Sequence, residues 1–149
     1  MTTEVFKKES DVAWEKHFMI DGAKIQWLYT REKDNLPITV MKVLLPKGIT
    51  LPDHRHPDQP DLIYPREGKA TMFIEGEGDF SLSPGMVVMV PQNALHAIRR
   101  VEEPLLLYNV FAPGTPTVPA KIEAPGPVRS GPPRAGHRPL SCPPGPGHP

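Results

Sequence analysis

Between residues 12 and 112 no stretch keeps the i, i+3, i+4 spacing of apolar side chains that an amphipathic helix needs, and this constrains the fold more than any other feature. Short runs of β-branched and large apolar residues stand there instead, cut by glycine, proline and asparagine. HFMIDGAKIQWLYT, residues 17–30, sets two such runs either side of Asp21-Gly22, a dipeptide that supplies the positive φ angles of a tight hairpin. REKDNLP then reads as a surface loop. Ile38 to Leu45, ITVMKVLL, reads as a strand closed by Pro46-Lys47-Gly48. ATMFIE, FSLS, MVVMV, HAIRRV and PLLLYNVFA follow as further strands, with EGEG, Pro84-Gly85 and Pro91-Gln92-Asn93 as turns. Many short strands between turns predict an all-β sandwich or barrel with antiparallel pairing.

The pattern stops at both ends. Residues 1–11 are polar and read as a flexible N-terminus, and 12–112 form one globular β-barrel domain. Residues 113–149 hold twelve prolines and few apolar residues, too few to offset an ordering entropy of roughly 1–2 kcal/mol per residue. They read as a disordered Pro/Gly-rich tail. The 17 basic residues balance 17 acidic ones without any basic run, so nucleic acid is not an expected partner. No apolar run approaches the roughly 18 residues of a membrane span. The charged N-terminus MTTEVFKKESD lacks the apolar centre of a signal peptide, and the single cysteine, Cys142, cannot form an internal disulfide. A cytoplasmic location is the expectation.

Within the strands, one segment carries chemistry. GITLPDHRHPDQPDLIYPREG, residues 48–68, places His54 and His56 two apart. Side chains at i and i+2 of a strand share a face, so the two imidazoles can meet at one point. That arrangement suits a transition metal, since imidazole serves Zn, Cu, Fe and Ni alike. A second segment, GMVVMVPQNALHAIRR, leads from Gly85 through a strand and the Pro91 turn to His96.

Together the two segments resemble the paired motifs of the cupin superfamily. Gly48, His54, His56, Asp61 and Gly68 occupy the slots of the first motif, with Asp in place of Glu. Gly85, Pro91 and His96 occupy slots of the second, with Asn93 for a glycine and Arg100 for an asparagine. The resemblance covers about residues 38–111. It implies a double-stranded β-helix, or jelly-roll, barrel holding one divalent transition metal by His54, His56 and His96 and usually by a carboxylate, here Asp61. Asp61 is one methylene short and is hemmed by Pro57, Pro60 and Pro65. If it reaches, the centre is of the mixed histidine and carboxylate kind; if it does not, it is a three-histidine centre. Arg100 shares a face with His96 and Ile98 if alternation holds, and would then anchor a substrate carboxylate or enolate through its two-pronged guanidinium. If the strand ends first, Arg100 is solvated. Asn93 tolerates the left-handed backbone that glycine would supply. His17, His137 and His148 are expected in solvent, Trp14 and Trp27 in packing, and Tyr64 on the outer face.

A metal with three or four protein ligands keeps positions open for a small-molecule substrate. The leading expectation is a non-haem Fe(II) dioxygenase acting on a diketone, phenol or related oxygen-rich molecule, with Mn, Zn, Ni or Cu as the other candidate ions. Beside it stand a cupin isomerase, epimerase or lyase using a non-redox metal, and a non-catalytic ligand-binding or sensor module. Homodimers formed by pairing of barrel edges are a family expectation.

Overall fold

The computed structural model describes residues 4–115. Eight strands follow in order: β1 (Glu15–Lys16), β2 (Lys24–Tyr29), β3 (Thr39–Leu45), β4 (Leu51–His54), β5 (Asp61–Ile74), β6 (Gly78–Leu82), β7 (Val88–Val90) and β8 (His96–Phe111). All pairings are antiparallel, in the order β1-β2-β3-β8-β5-β6, with β4 also on β8 and β7 also on β5. The all-β jelly-roll expectation holds. Among the described residues no helix is long and apolar enough to cross a membrane. The tail beyond residue 115, with His137, His148 and Cys142, lies outside the described residues.

β5 and β8 are the spine. They pair with each other from Asp61↔Phe111 to Ile74↔His96. The early half of β5 also takes β7 and its late half β6, while the early half of β8 takes β4 and its late half β3. Exchanging partners half-way along lets one ladder wrap around a single core. That core holds Ile25, Met41, Val43, Leu45, Ile63, Met72, Ile74, Leu82, Val90, Ile98, Val101, Leu105, Leu107 and Phe111. In β3 the alternation is regular, with Thr39, Met41, Val43 and Leu45 buried and the residues between them half-buried.

The sequence shows only ATMFIE within β5 and two separate runs, HAIRRV and PLLLYNVFA, within β8, and both strands contain a proline, Pro65 or Pro104, a poor ladder residue. In the fold each strand is continuous, and the prolines fall where the pairing is already irregular. The register shifts between Pro65 and Glu67, again between Glu67 and Lys69, and again before Ala70, so missing amide donors cost little at those bulges. Gly68 sits at this bend with φ +89°. A Cβ there would lie 2.7 Å from the Pro104 carbonyl carbon and 2.8 Å from Leu105 Cα. The last glycine of the first motif is therefore fixed by close backbone approach as well as by its φ.

Three local expectations change. The first hairpin turns at Asp21-Gly22 as expected, but only Glu15 and Lys16 pair with β2, and His17 to Ile20 leave the ladder. The loop after β2 contains a one-turn helix, α1 (Arg31–Asp34). Thr30 caps it by accepting from Lys33 N–H at 3.1 Å, and Asn35 ends it at φ 51°. The N-terminal segment, expected to be flexible, is tied to the barrel from Lys7 onward. Lys7 Nζ meets Asp34 at 2.7 Å and Leu28 O at 2.9 Å. Glu9 pairs with Lys42 at 2.9 Å and accepts from the Tyr108 hydroxyl. Gln26 Nε2 donates to Glu9 O and Val12 O.

Replacing Gly68 by alanine, in urea unfolding, is expected to lower stability by roughly 2–5 kcal/mol, combining left-handed strain with an unrelieved backbone clash. A loss below about 1 kcal/mol would show that the bend between β5 and β8 yields easily.

Candidate metal centre

Pairing of β4 with β8 sets His54 directly opposite His96. His56 lies two residues beyond the end of β4, so strand alternation alone does not aim it. The loop between β7 and β8 does: Asn93 N–H donates to His56 O at 2.8 Å, and Gln92 Nε2 donates to Pro57 O at 2.7 Å. Asn93 has φ 63°, the left-handed backbone expected of it. Arg55, between the two histidines, points outward to Glu75 at 2.7 Å and Asn93 O at 2.6 Å. The second motif thus buttresses the first.

The result is a compact cluster. One ring nitrogen from each of His54, His56 and His96 lies within 4.8 Å of the other two. Ring centroids are 4.0 Å apart for His54 and His96 and 5.0 Å for each pair with His56. His54 Nδ1 stands 2.8 Å from Pro52 O and His96 Nδ1 2.9 Å from Ala94 O. A carbonyl oxygen only accepts, so both Nδ1 atoms carry the proton and both Nε2 lone pairs are free. His96 Nε2 is fully buried and has no hydrogen-bond partner. An orphaned acceptor in that position costs about 1–3 kcal/mol unless something electrophilic meets it. The donor set fits a transition metal, and backbone carbonyls on the outer nitrogens are the usual means of orienting metal-bound imidazoles.

Electrostatics agree with that fit. Burial, then the neighbouring His54 and His96, push His56 down to about 3. Burial and then His54 push His96 down to about 4, and burial lowers His54 against the opposing pull of Pro52 O and Asp53. All three rings are neutral at physiological pH, as ligation requires.

Asp61 opens β5 and is 3% exposed. Its Oδ2 lies 3.8 Å from His56 Nε2 and 3.9 Å from His96 Nε2, while Oδ1 accepts from Asn109 Nδ2 at 2.8 Å. Two ligand atoms each about 2.1 Å from one ion can stand at most about 4.2 Å apart, so both separations are compatible with a shared ion. Burial pushes the Asp61 carboxyl up to about 7, with Asn109 pulling the other way.

Arg100 does not join the cluster. Thr71 pairs with Arg100 but Met72 pairs with Ile98, so Arg99 is an extra residue in β8 and the alternation slips. Both arginines are exposed, and Arg99 pairs with Asp53 at 2.6 Å. Tyr64 is on the outer face as expected, 44% exposed.

The histidines and Asp61 line a cavity of about 610 Å³, whose remaining wall is mainly apolar, including Met41, Val43, Ile98, Leu107 and Phe111. Four polar or aromatic residues there were not expected to be functional. Asn109 could have been flagged, because it is a polar residue alternating with Leu107 and Phe111 on an inward face. Gln59 is buried in the loop between the histidines and Asp61. Trp27 lines the cavity as well as packing. His17, expected in solvent, also lines it, and burial and then His54 push it down to about 4. No periodicity marks His17, since it lies off the ladder.

Residues 41–111 match the family described as Cupin domain. A quercetin 2,3-dioxygenase of Bacillus subtilis is 33% identical over 69 residues, 46% of this chain but only 20% of that protein. Among solved structures, KdgF from Halomonas sp. superposes with a TM-score of 0.62 at 21% identity, covering 72% of this chain and 94% of its own. A cupin from Shewanella frigidimarina gives 0.63 at 21% identity, covering 74% and 92%, and an ectoine synthase from P. lautus gives 0.65 at 15% identity, covering 75% and 80%. At these identities the three structures share the fold alone.

If Asp61 is a ligand, the ion must displace its proton, so zinc affinity should rise about tenfold per pH unit up to about pH 7 and then level off. Competition titrations between pH 5.5 and 8.5 measure this. Asp61→Asn should make the profile shallower, because burial holds His56 and His96 far below that span, at about 3 and about 4, and lowers His54 as well. A flat wild-type profile would leave a three-histidine centre.

Proposed function

The chain belongs to the cupin superfamily, and from that premise we propose that it is a metal-dependent enzyme, a dioxygenase acting on a small oxygen-rich molecule of diketone or phenol type, with Fe(II) as its preferred ion. The observation that carries this reading is the convergence of neutral imidazole nitrogens, one of them buried without a partner, inside a mainly apolar cavity. Similarity to part of a quercetin 2,3-dioxygenase supports the reaction class.

His54, His56 and His96 would hold the ion, with Asp61 beside them. When bound, Fe(II) supplies Lewis acidity toward a chelating pair of oxygens and the redox capacity that O2 chemistry needs. The chain's own contribution is positional and protic. Asp61, ionised beside the ion, would take the hydroxyl proton of an enol or phenol at Oδ2 while Asn109 holds Oδ1. The aliphatic wall would exclude water from the reacting centre.

The same carboxyl also favours a second reading, an isomerase, epimerase or lyase using Mn, Zn or Ni, in which proton transfer at Asp61 needs no O2. Protein purified without oxygen and loaded with each ion separates the two. O2 uptake matching loss of acetylacetone or catechol with Fe(II) is the expected result. Substrate conversion without O2 uptake would replace it by the second reading, and ligand binding without turnover, whichever ion is loaded, would indicate a ligand-binding module. His96→Ala should fold and lose at least nine-tenths of stoichiometric metal, corresponding to a roughly hundredfold weaker site, or about 2.7 kcal/mol of binding energy; full metal content in that variant would refute the ligand assignment.

A further inference from the structure

His17 belongs to neither cupin motif and lies on the N-terminal hairpin, yet it lines the same cavity as the metal cluster. Its ring stacks on Phe18, with centroids 4.6 Å apart and planes 23° apart. Phe18 in turn lies 6.5 Å from Trp27 with planes 18° apart. Three nearly parallel aromatic planes therefore form one part of a cavity whose other walls are largely aliphatic. Flat faces of this kind favour a flat partner over a globular aliphatic one.

The hydrogen bonding of His17 fixes what it offers. Its Nδ1 accepts from Met19 N–H at 3.0 Å. A backbone amide can only donate, so Nδ1 is bare and the ring proton sits on Nε2. Among the described residues that N–H has no partner. This is the reverse of His54 and His96, whose protons face backbone carbonyls and whose free lone pairs suit a metal. Two tautomers of one side chain thus divide the cavity's chemistry: acceptors for an ion, and a donor for something that bears an oxygen.

We propose that His17 is a substrate-binding residue that, with Phe18 and Trp27, selects planar aromatic substrates carrying a chelating pair of oxygens for the metal and a further acceptor oxygen for the His17 Nε2–H. This rests on the metal-centre reading above and adds to it a recognition element from outside the motifs.

The test uses zinc-loaded protein, so that no turnover intervenes, and two catechols of similar size. 3,4-Dihydroxybenzaldehyde has a carbonyl opposite its chelating edge; 4-methylcatechol does not. Absorbance reports metal ligation and tryptophan fluorescence reports occupancy of the cavity. His17→Phe keeps the aromatic face and removes the donor. It should weaken the aldehyde about five- to tenfold, the value of one neutral hydrogen bond, and leave 4-methylcatechol within about twofold. His17→Gln, which restores an N–H, should recover part of the loss. Trp27→Leu should weaken both catechols while zinc content is unchanged. Equal loss for both catechols in His17→Phe, or no loss for either, overturns the proposal with the metal site intact. Should His17→Phe fail to load zinc, His17→Leu compared with His17→Gln on the two catechols decides in the same way. A wild-type protein that takes up no zinc overturns the proposal together with the reading beneath it.

Discussion

Pairing between β5 and β8 is the constraint from which the rest follows. Each strand is long enough to serve two sets of neighbours, and each changes partners at the bulged centre near Gly68 and Pro104. Because the two run antiparallel, the start of β8, carrying His96, meets the end of β5, while the start of β5, carrying Asp61, meets the end of β8. Wrapping then brings those distant ends to one cavity, where β4 delivers His54 opposite His96 and the loop after it delivers His56. Asn109 reaches Asp61 because Ile63 pairs with Asn109 only two residues along β5.

The site combines a stabilised surround with local unmet bonding. Barrel strands bury Leu45, Met72, Leu82 and Leu105 almost completely, each fully buried aliphatic side chain contributing roughly 1.5–3 kcal/mol. Against this, three imidazoles crowd at 4.0–5.0 Å, and a carboxyl is buried with one amide partner. Burial acts on both kinds of group in the same sense, disfavouring charge: it keeps the histidines neutral near pH 7 and pushes Asp61 up to about 7. An ion would offset those costs together, since it would supply the electrophile that the lone pairs lack and favour the ionised carboxylate. The surrounding braces, Asn93 to His56 O and Arg55 to Glu75, hold the motif loops in register.

Residue spacing made the cluster of His54, His56 and His96 and the positive-φ turns legible, because both depend on short-range geometry. Gly68 and Asn93 fell where glycine-like backbone was required. What escaped depended on long-range registry. HAIRRV and PLLLYNVFA read as two strands, and ATMFIE as a short one, because a sequence does not reveal that bulges will accommodate Pro104 and Pro65 within longer strands. Arg100 was displaced to the outside by one extra residue in β8, a slip set by its partner strand. His17 carried no periodic signal at all, since only the wrapped barrel brings its hairpin against a cavity built from the other strands.

If His54, His56 and His96 together hold one ion, X-ray absorption at the metal edge of protein purified without oxygen will show it. The expected first shell is nitrogen and oxygen with the multiple-scattering signature of three imidazoles, falling to two in His56→Ala. A shell with no more than one imidazole, or one unchanged in that variant, would contradict it.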